Sequence, residues 1–77
     1  MKTLFYDHNF QNGFPVEFSS EGHLLACARA YKKRCENYDR ERYQMIEERD
    51  KETGLLRSLV VVDIGDVTIF RFKVNYE

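Results

Sequence analysis

The chain has 77 residues, a formal net charge of −1 and 43% hydrophobic residues, which suits one globular domain. The near-neutral charge excludes binding to nucleic acid or anionic membranes through overall charge alone. No stretch approaches the roughly 20 apolar residues of a membrane-spanning helix, and the N-terminus lacks the apolar run of a signal peptide. We therefore expect a single compact domain over residues 1–77 and a cytoplasmic location.

Two short strands are predicted before residue 19. Residues 3–8 alternate in polarity, and Asn12-Gly13 is a strong turn signal. Residues 14–18 alternate as well, and Pro15 cannot donate a ladder hydrogen bond, so this second strand is predicted at an edge of the sheet. Its inward face is predicted to consist of Phe14, Val16 and Phe18.

A helix is predicted over residues 19–38, the only segment with a sustained helical period. Ser19 and Ser20 are good N-cap residues, and Glu21 favours the positive end of the helix dipole. The apolar stripe that should pack on a core consists of Leu24, Ala28, Tyr31, Cys35 and Tyr38.

The C-terminal half predicts three strands. A helical stripe also fits residues 39–49, so extension of the helix is an open alternative. A strand at 42–48 is favoured because the turn signal Asp50–Gly54 and the β-branched segment 55–62 follow it, as in a hairpin. After a turn at Asp63–Asp66, the last strand is predicted to place on one face Thr68, Phe70, Phe72, Val74 and Tyr76. The predicted fold is α+β, with one amphipathic helix on a small antiparallel sheet in the order β-β-α-β-β-β.

Cysteine and histidine residues give little support for a metal site or for catalysis. Cys27 and Cys35 lie about 12 Å apart along a helix, too far for a disulfide, so two free thiols are expected. His23 and Cys27 are one helical turn apart, but zinc needs three or four ligands and His8 is the other candidate histidine. We therefore expect no metal, no cofactor and no enzymatic activity.

The uneven distribution of charge provides the best functional candidates. Residues 29–42 contain six basic and three acidic side chains, whereas residues 47–52 contain four acidic and two basic ones. A protein-binding surface is predicted on the polar helix face and the acidic hairpin tip, from Arg29, Lys32, Lys33, Glu36, Glu47, Glu48, Asp50 and Glu52. The alternative is a nucleic-acid-binding surface in which the last strand extends the basic helix face, formed by Arg29, Lys33, Arg40, Arg42, Arg71 and Lys73. Mixed charge runs of this kind are also typical of plain solvated faces.

In a chain this short, the helix at 20–38 and the hairpin at 42–62 resemble the compact anti-CRISPR proteins encoded by phages. The resemblance covers about half of the chain. It implies a non-enzymatic inhibitor, acting in the host cytoplasm, that binds a host protein or ribonucleoprotein through charged surfaces. It assigns no role to individual residues.

Self-association is a further mode of binding that the sequence leaves open. Domains of this length bury only about 60% of their unfolded surface, and dimerisation is a common supplement. An exposed edge at residues 14–18, or at the last strand, is suited to pairing with the same strand of a second copy.

Overall fold

A computed structural model describes residues 1–7 and 12–76, and it shows an α+β fold. The predicted order is confirmed, with a strand after the helix rather than a helix extension. Residue 8, where the first strand was predicted to end, lies outside the described residues. In the described ranges, no helix combines the length and the apolar character needed to cross a membrane. The elements are β1 (Lys2–Asp7), β2 (Phe14–Glu17), α1 (Glu21–Asp39), β3 (Gln44–Arg49), β4 (Leu56–Val62) and β5 (Thr68–Asn75).

The strands form one antiparallel sheet in the order β2-β1-β5-β4-β3. The N-terminal hairpin joins the C-terminal meander through β1 and β5, where Phe5 lies opposite Phe72. The prediction of an edge strand containing Pro15 is confirmed, because β2 has a neighbour on one side only. The prediction of an exposed edge at the last strand is wrong, since β5 is the central strand and pairs with both β1 and β4.

Helix α1 covers one face of the sheet, and the core lies between the two layers. Leu24 and Ala28 of the helix are fully buried there. The ring centroids of Phe5 and Phe72 are 4.9 Å apart, and those of Tyr31 and Phe70 are 4.8 Å apart, as in favourable aromatic pairs. The buried core cluster consists of Phe5, Phe18, Leu24, Ala28, Tyr43, Leu56, Leu59, Val61, Phe70, Phe72 and Val74.

Both ends of α1 are defined by hydrogen bonds. The Ser20 hydroxyl accepts a hydrogen bond from the backbone N–H of His23 at 3.1 Å, which confirms the predicted N-cap. At the other end, Arg40 adopts the left-handed conformation with φ of 55°. The Glu36 carboxylate then accepts the backbone N–H of Tyr43 at 2.8 Å, so it ties the helix end to the start of β3.

Four residues predicted for the core are exposed instead. Tyr38 is 89% exposed, because a cleft separates the C-terminal half of α1 from the end of β1 and the start of β5. Phe14 lies on the edge strand β2, with no further strand beside it. In the pairing of β4 with β5, the register shifts between Val61 and Val62, so that Val62 lies opposite Thr68. Thr68 therefore points away from the helix. Tyr76 follows the end of β5, and its hydroxyl donates a hydrogen bond to a backbone carbonyl of β4.

Candidate functional site

The basic residues of the nucleic-acid alternative do not form one surface. Successive side chains of β5 point to opposite faces of the sheet, and Phe70 and Phe72 point toward α1. Arg71 and Lys73 therefore lie on the face that α1 does not cover. Arg29, which is exposed on α1, lies on the other side of the sheet from them.

On the helix face, Glu36 is held by contacts within the protein. Its carboxylate accepts hydrogen bonds from the backbone N–H of Tyr43 and from the Lys32 ammonium, the latter at 3.2 Å. The Tyr43 N–H is the main cause of the lowered pKa of Glu36, and Lys32 adds to it. Lys32 and Glu36 therefore connect parts of the fold, whereas Arg29 and Lys33 stay exposed.

At the hairpin, Glu47 contributes to a link with the start of α1. The Arg49 guanidinium lies 2.6 Å from the Glu47 carboxylate and 2.7 Å from that of Glu21. The same guanidinium donates a hydrogen bond to the Gly54 carbonyl at 3.0 Å. Glu47 is therefore part of a connection between helix and hairpin.

Asp50 shapes the hairpin turn. Its carboxylate accepts the backbone N–H groups of Glu52 at 2.8 Å and Thr53 at 3.1 Å. These two backbone hydrogen bonds lower the pKa of Asp50, and the Arg57 guanidinium at 3.3 Å contributes further. The predicted charged residues of the helix and hairpin that are exposed and lie outside the ion pairs described above are Arg29, Lys33, Arg40, Arg42, Glu48 and Glu52.

A second surface, which we call the open face, is the side of the sheet opposite α1. One row of side chains crosses four strands there, because Tyr6 lies opposite Arg71, Arg71 opposite Val60, and Val60 opposite Ile46. Val60 is only 6% exposed although it lies outside the core cluster. The row therefore has an apolar centre beside a cationic side chain.

The neighbouring row adds charge to the open face. Leu4 lies opposite Lys73, which is opposite Ser58, and Ser58 is opposite Glu48. Two shallow depressions, of about 400 and about 430 Å³, share Arg71 and Lys73 in their walls. The charged residues of this face are Lys2, Arg57, Arg71 and Lys73 against Glu17 and Glu48.

The sequence predicted Arg71 and Lys73 as site residues but did not predict the residues that lie beside them on neighbouring strands. Tyr6 and Val60 lie on other strands, and only the strand order places them beside Arg71. Polarity alternation in β1 was an available signal for Tyr6. The continuous apolar run of β4 gave no signal for the side to which Val60 points.

The structure places three of the four candidate metal ligands, His23, Cys27 and Cys35. Within residues 1–7 and 12–76, no three His, Cys, Asp or Glu side chains are grouped to hold a metal ion. The Nδ1 atom of His23 accepts the backbone N–H of Ser19 at 3.1 Å, so His23 supports the helix start. Cys27 and Cys35 are half-buried free thiols. His8 lies outside the described residues.

Comparisons with protein-family models, curated proteins and solved structures find no match for this chain. Its functional assignment therefore depends on the chemistry of its surfaces. Among the described residues, the open face joins apolar side chains to several cations.

Proposed function

We propose that this protein is a non-enzymatic binding module whose open face binds an acidic surface of a protein partner. The observation that carries the proposal is the cross-strand row of Tyr6, Arg71, Val60 and Ile46 on a sheet face that α1 leaves uncovered. A sheet of five strands offers a broad surface, which favours binding over chemistry in a pocket.

The apolar and charged residues of the open face are arranged as in a protein interface. Such interfaces combine an apolar centre with a polar rim, and tyrosine and arginine are enriched in them. Here the exposed apolar surface comes from Ile46, which is 39% exposed, whereas its neighbour Val60 is almost fully buried. Arg71 and Lys73 lie on β5, the strand on the other side of β4. The Tyr6 ring lines one of the shallow depressions next to Arg71.

The charges of the open face suit an acidic partner, and its few aromatic side chains favour a protein over a single-stranded nucleic acid. Among the described residues of this face, and leaving aside Arg57, which pairs with Asp50, three basic side chains face the two carboxylates of Glu17 and Glu48. The face is therefore complementary to acidic residues. Among the described residues in the two cross-strand rows of this face, Tyr6 is the only aromatic one, whereas single-stranded nucleic acids are bound by several stacked rings.

We further propose that the partner is a host protein or ribonucleoprotein and that binding inhibits it. The resemblance to anti-CRISPR proteins supports this step. The choice of the open face for this contact is supported by Lys32, Glu36, Glu47 and Asp50, which are engaged within the fold and leave fewer helix and hairpin charges for a partner.

Two double charge reversals test which face binds. The open-face variant is Arg71→Glu with Lys73→Glu, and the helix-face control is Arg29→Glu with Lys33→Glu; both pairs are exposed and change the net charge equally. Immobilised wild-type and variant proteins are used to capture proteins from a cell extract, followed by mass spectrometry. We expect the open-face variant to lose the captured partner and the control to retain it.

Binding of a fluorescent single-stranded oligonucleotide and a duplex is measured in parallel by anisotropy at several salt concentrations. Loss of the protein partner in the helix-face control alone, or equally in both variants, would overturn the proposed role of the open face. Oligonucleotide binding that falls steeply with salt and requires Arg71 and Lys73 would replace the protein partner with a nucleic acid.

A further inference from the structure

A cleft of about 350 Å³ lies at the C-terminal end of α1, away from the open face. It is bounded by two turns of the helix on one side and by the end of β1 and the start of β5 on the other. Its volume is at the lower end of the range for small-molecule sites. The lining residues are Asp7, Tyr31, Arg34, Cys35, Tyr38, Asp39 and Ile69.

The walls of the cleft combine aromatic rings with carboxylates. Tyr31 and Tyr38 are seven residues apart, so they lie two helical turns apart on the same side of α1. Tyr38 is 89% exposed and Tyr31 is half-buried, so the rings form an outer and an inner wall. The half-buried side chain of Ile69 adds an aliphatic surface.

The carboxylates make the cleft favourable for a cation. Asp7 and Asp39 lie at its two sides, and among the described lining residues Arg34, which is exposed, is the one cation. Asp39 accepts a short hydrogen bond from the Tyr43 hydroxyl, and Asp7 also interacts within the protein. A carboxylate has about four acceptor sites, so each retains capacity for a further donor.

The pKa shifts of Cys35 and Tyr31 agree with a negative potential in the cleft. Burial is the main cause of the raised pKa of the Cys35 thiol, and the Asp39 carboxylate adds to it. Burial also raises the pKa of the Tyr31 phenol, with Cys35 and then Asp7 adding to the effect. Both groups are therefore neutral at pH 7 and present no charge to a ligand.

We infer that this cleft binds an arginine side chain from a protein partner. A guanidinium is planar, stacks on tyrosine rings and donates to carboxylates in a fixed geometry, which matches Tyr31, Tyr38 and Asp7. An ammonium group lacks the flat surface that stacks on a tyrosine ring, so lysine fits less well. The site is separate from the open face and does not depend on the function proposed for it.

The test uses N-acetyl-arginine amide as the probe and N-acetyl-citrulline amide as its neutral isostere. Amide shifts of ¹⁵N-labelled protein are followed during titration with each probe. We expect the arginine probe to shift the signals of Cys35, Tyr38 and Ile69 with a dissociation constant in the millimolar range. The citrulline probe is expected to bind at least about tenfold more weakly, because it lacks the charge that the carboxylates attract.

Two variants with opposite expected effects keep the test independent of folding. Tyr38→Ala removes an exposed wall and should weaken binding of the arginine probe at least about fivefold. Arg34→Gln removes the competing cation and should strengthen it about twofold or more. The control is Leu55→Ala, an exposed apolar residue near the start of the helix, which should leave binding unchanged.

Three results would overturn the inference. They are equal binding of the arginine and citrulline probes, shifts confined to residues outside the cleft, and an unchanged dissociation constant in both cleft variants. If the charge reversals on the open face do not abolish partner binding, the probe titrations still test the cleft independently.

Discussion

Replacing Gly13 by alanine should destabilise the protein more than the same change at Gly54, although both glycines have positive φ. Their φ values are 77° and 74°, so each substitution carries a similar backbone strain of about 1 kcal/mol. The surroundings differ. A Cβ atom at Gly13 would lie 2.7 Å from Cζ and 2.9 Å from Cε1 of Tyr6, whereas nothing lies within 4 Å of one at Gly54.

The contact with Tyr6 determines the size of the difference. Inserting a methyl group into a packed contact costs about 1–3 kcal/mol, and rotation of the Tyr6 ring brings the cost toward the lower value. Gly13→Ala should therefore cost about 2–4 kcal/mol and Gly54→Ala about 1 kcal/mol. For a domain of this length, 1 kcal/mol corresponds to a change of roughly 4–8 °C in the melting temperature.

Urea unfolding of the single variants and of both substitutions in a Tyr6→Ala background measures this difference. Without the ring, Gly13→Ala should cost about as much as Gly54→Ala, because only the backbone strain remains. Equal costs of the two glycine substitutions in the wild type would refute the reasoning. So would a difference that persists after Tyr6 is removed.

Three further predictions concern the helix and its connections. Leu24→Ala should cost about 2–5 kcal/mol in urea unfolding, because the side chain is fully buried, and a loss below 1 kcal/mol would contradict the packing described. Glu36 has a lowered pKa, so it adds stability above its ordinary value of 4.5, and this stability is lost as the pH falls through the lowered pKa. Glu36→Gln should therefore reduce the acid dependence of the melting temperature, and an unchanged pH profile would exclude this role. Arg49→Met removes the link to Glu21 and should lower the melting temperature slightly at low salt and less at about 1 M salt; the same decrease at both salt concentrations would contradict an electrostatic link.

The candidate binding surfaces were only partly predictable. The sequence indicated that Arg71 and Lys73 point away from the core, because charged and apolar residues alternate strictly in the last strand. It placed them in one patch with Arg29 and Lys33, which the structure separates by the thickness of the sheet. The distribution of charge along a chain does not reveal on which side of a sheet each charge lies when helix and strands form different layers.

Local chemistry was enough to predict most of the fold. The Ser20 cap, the helical period and the turn at Asp50–Gly54 each depend on residues close in sequence, and these elements appear at the predicted positions. The amphipathic stripe also identified Leu24 and Ala28 correctly as buried.

The tertiary structure alone decided the strand order, the exposure of Tyr38 and the composition of the open face. Pairing of β1 with β5 joins residues about 70 positions apart, and it converts the last strand from a predicted edge into the centre of the sheet. The stripe could not show where the helix stops touching the sheet, since a helical period continues whether or not a layer lies beneath it. Both proposed sites arise from this long-range arrangement: Arg71 gains Tyr6 and Val60 from neighbouring strands, and the cleft beside Tyr38 exists because α1 and the sheet separate at that end.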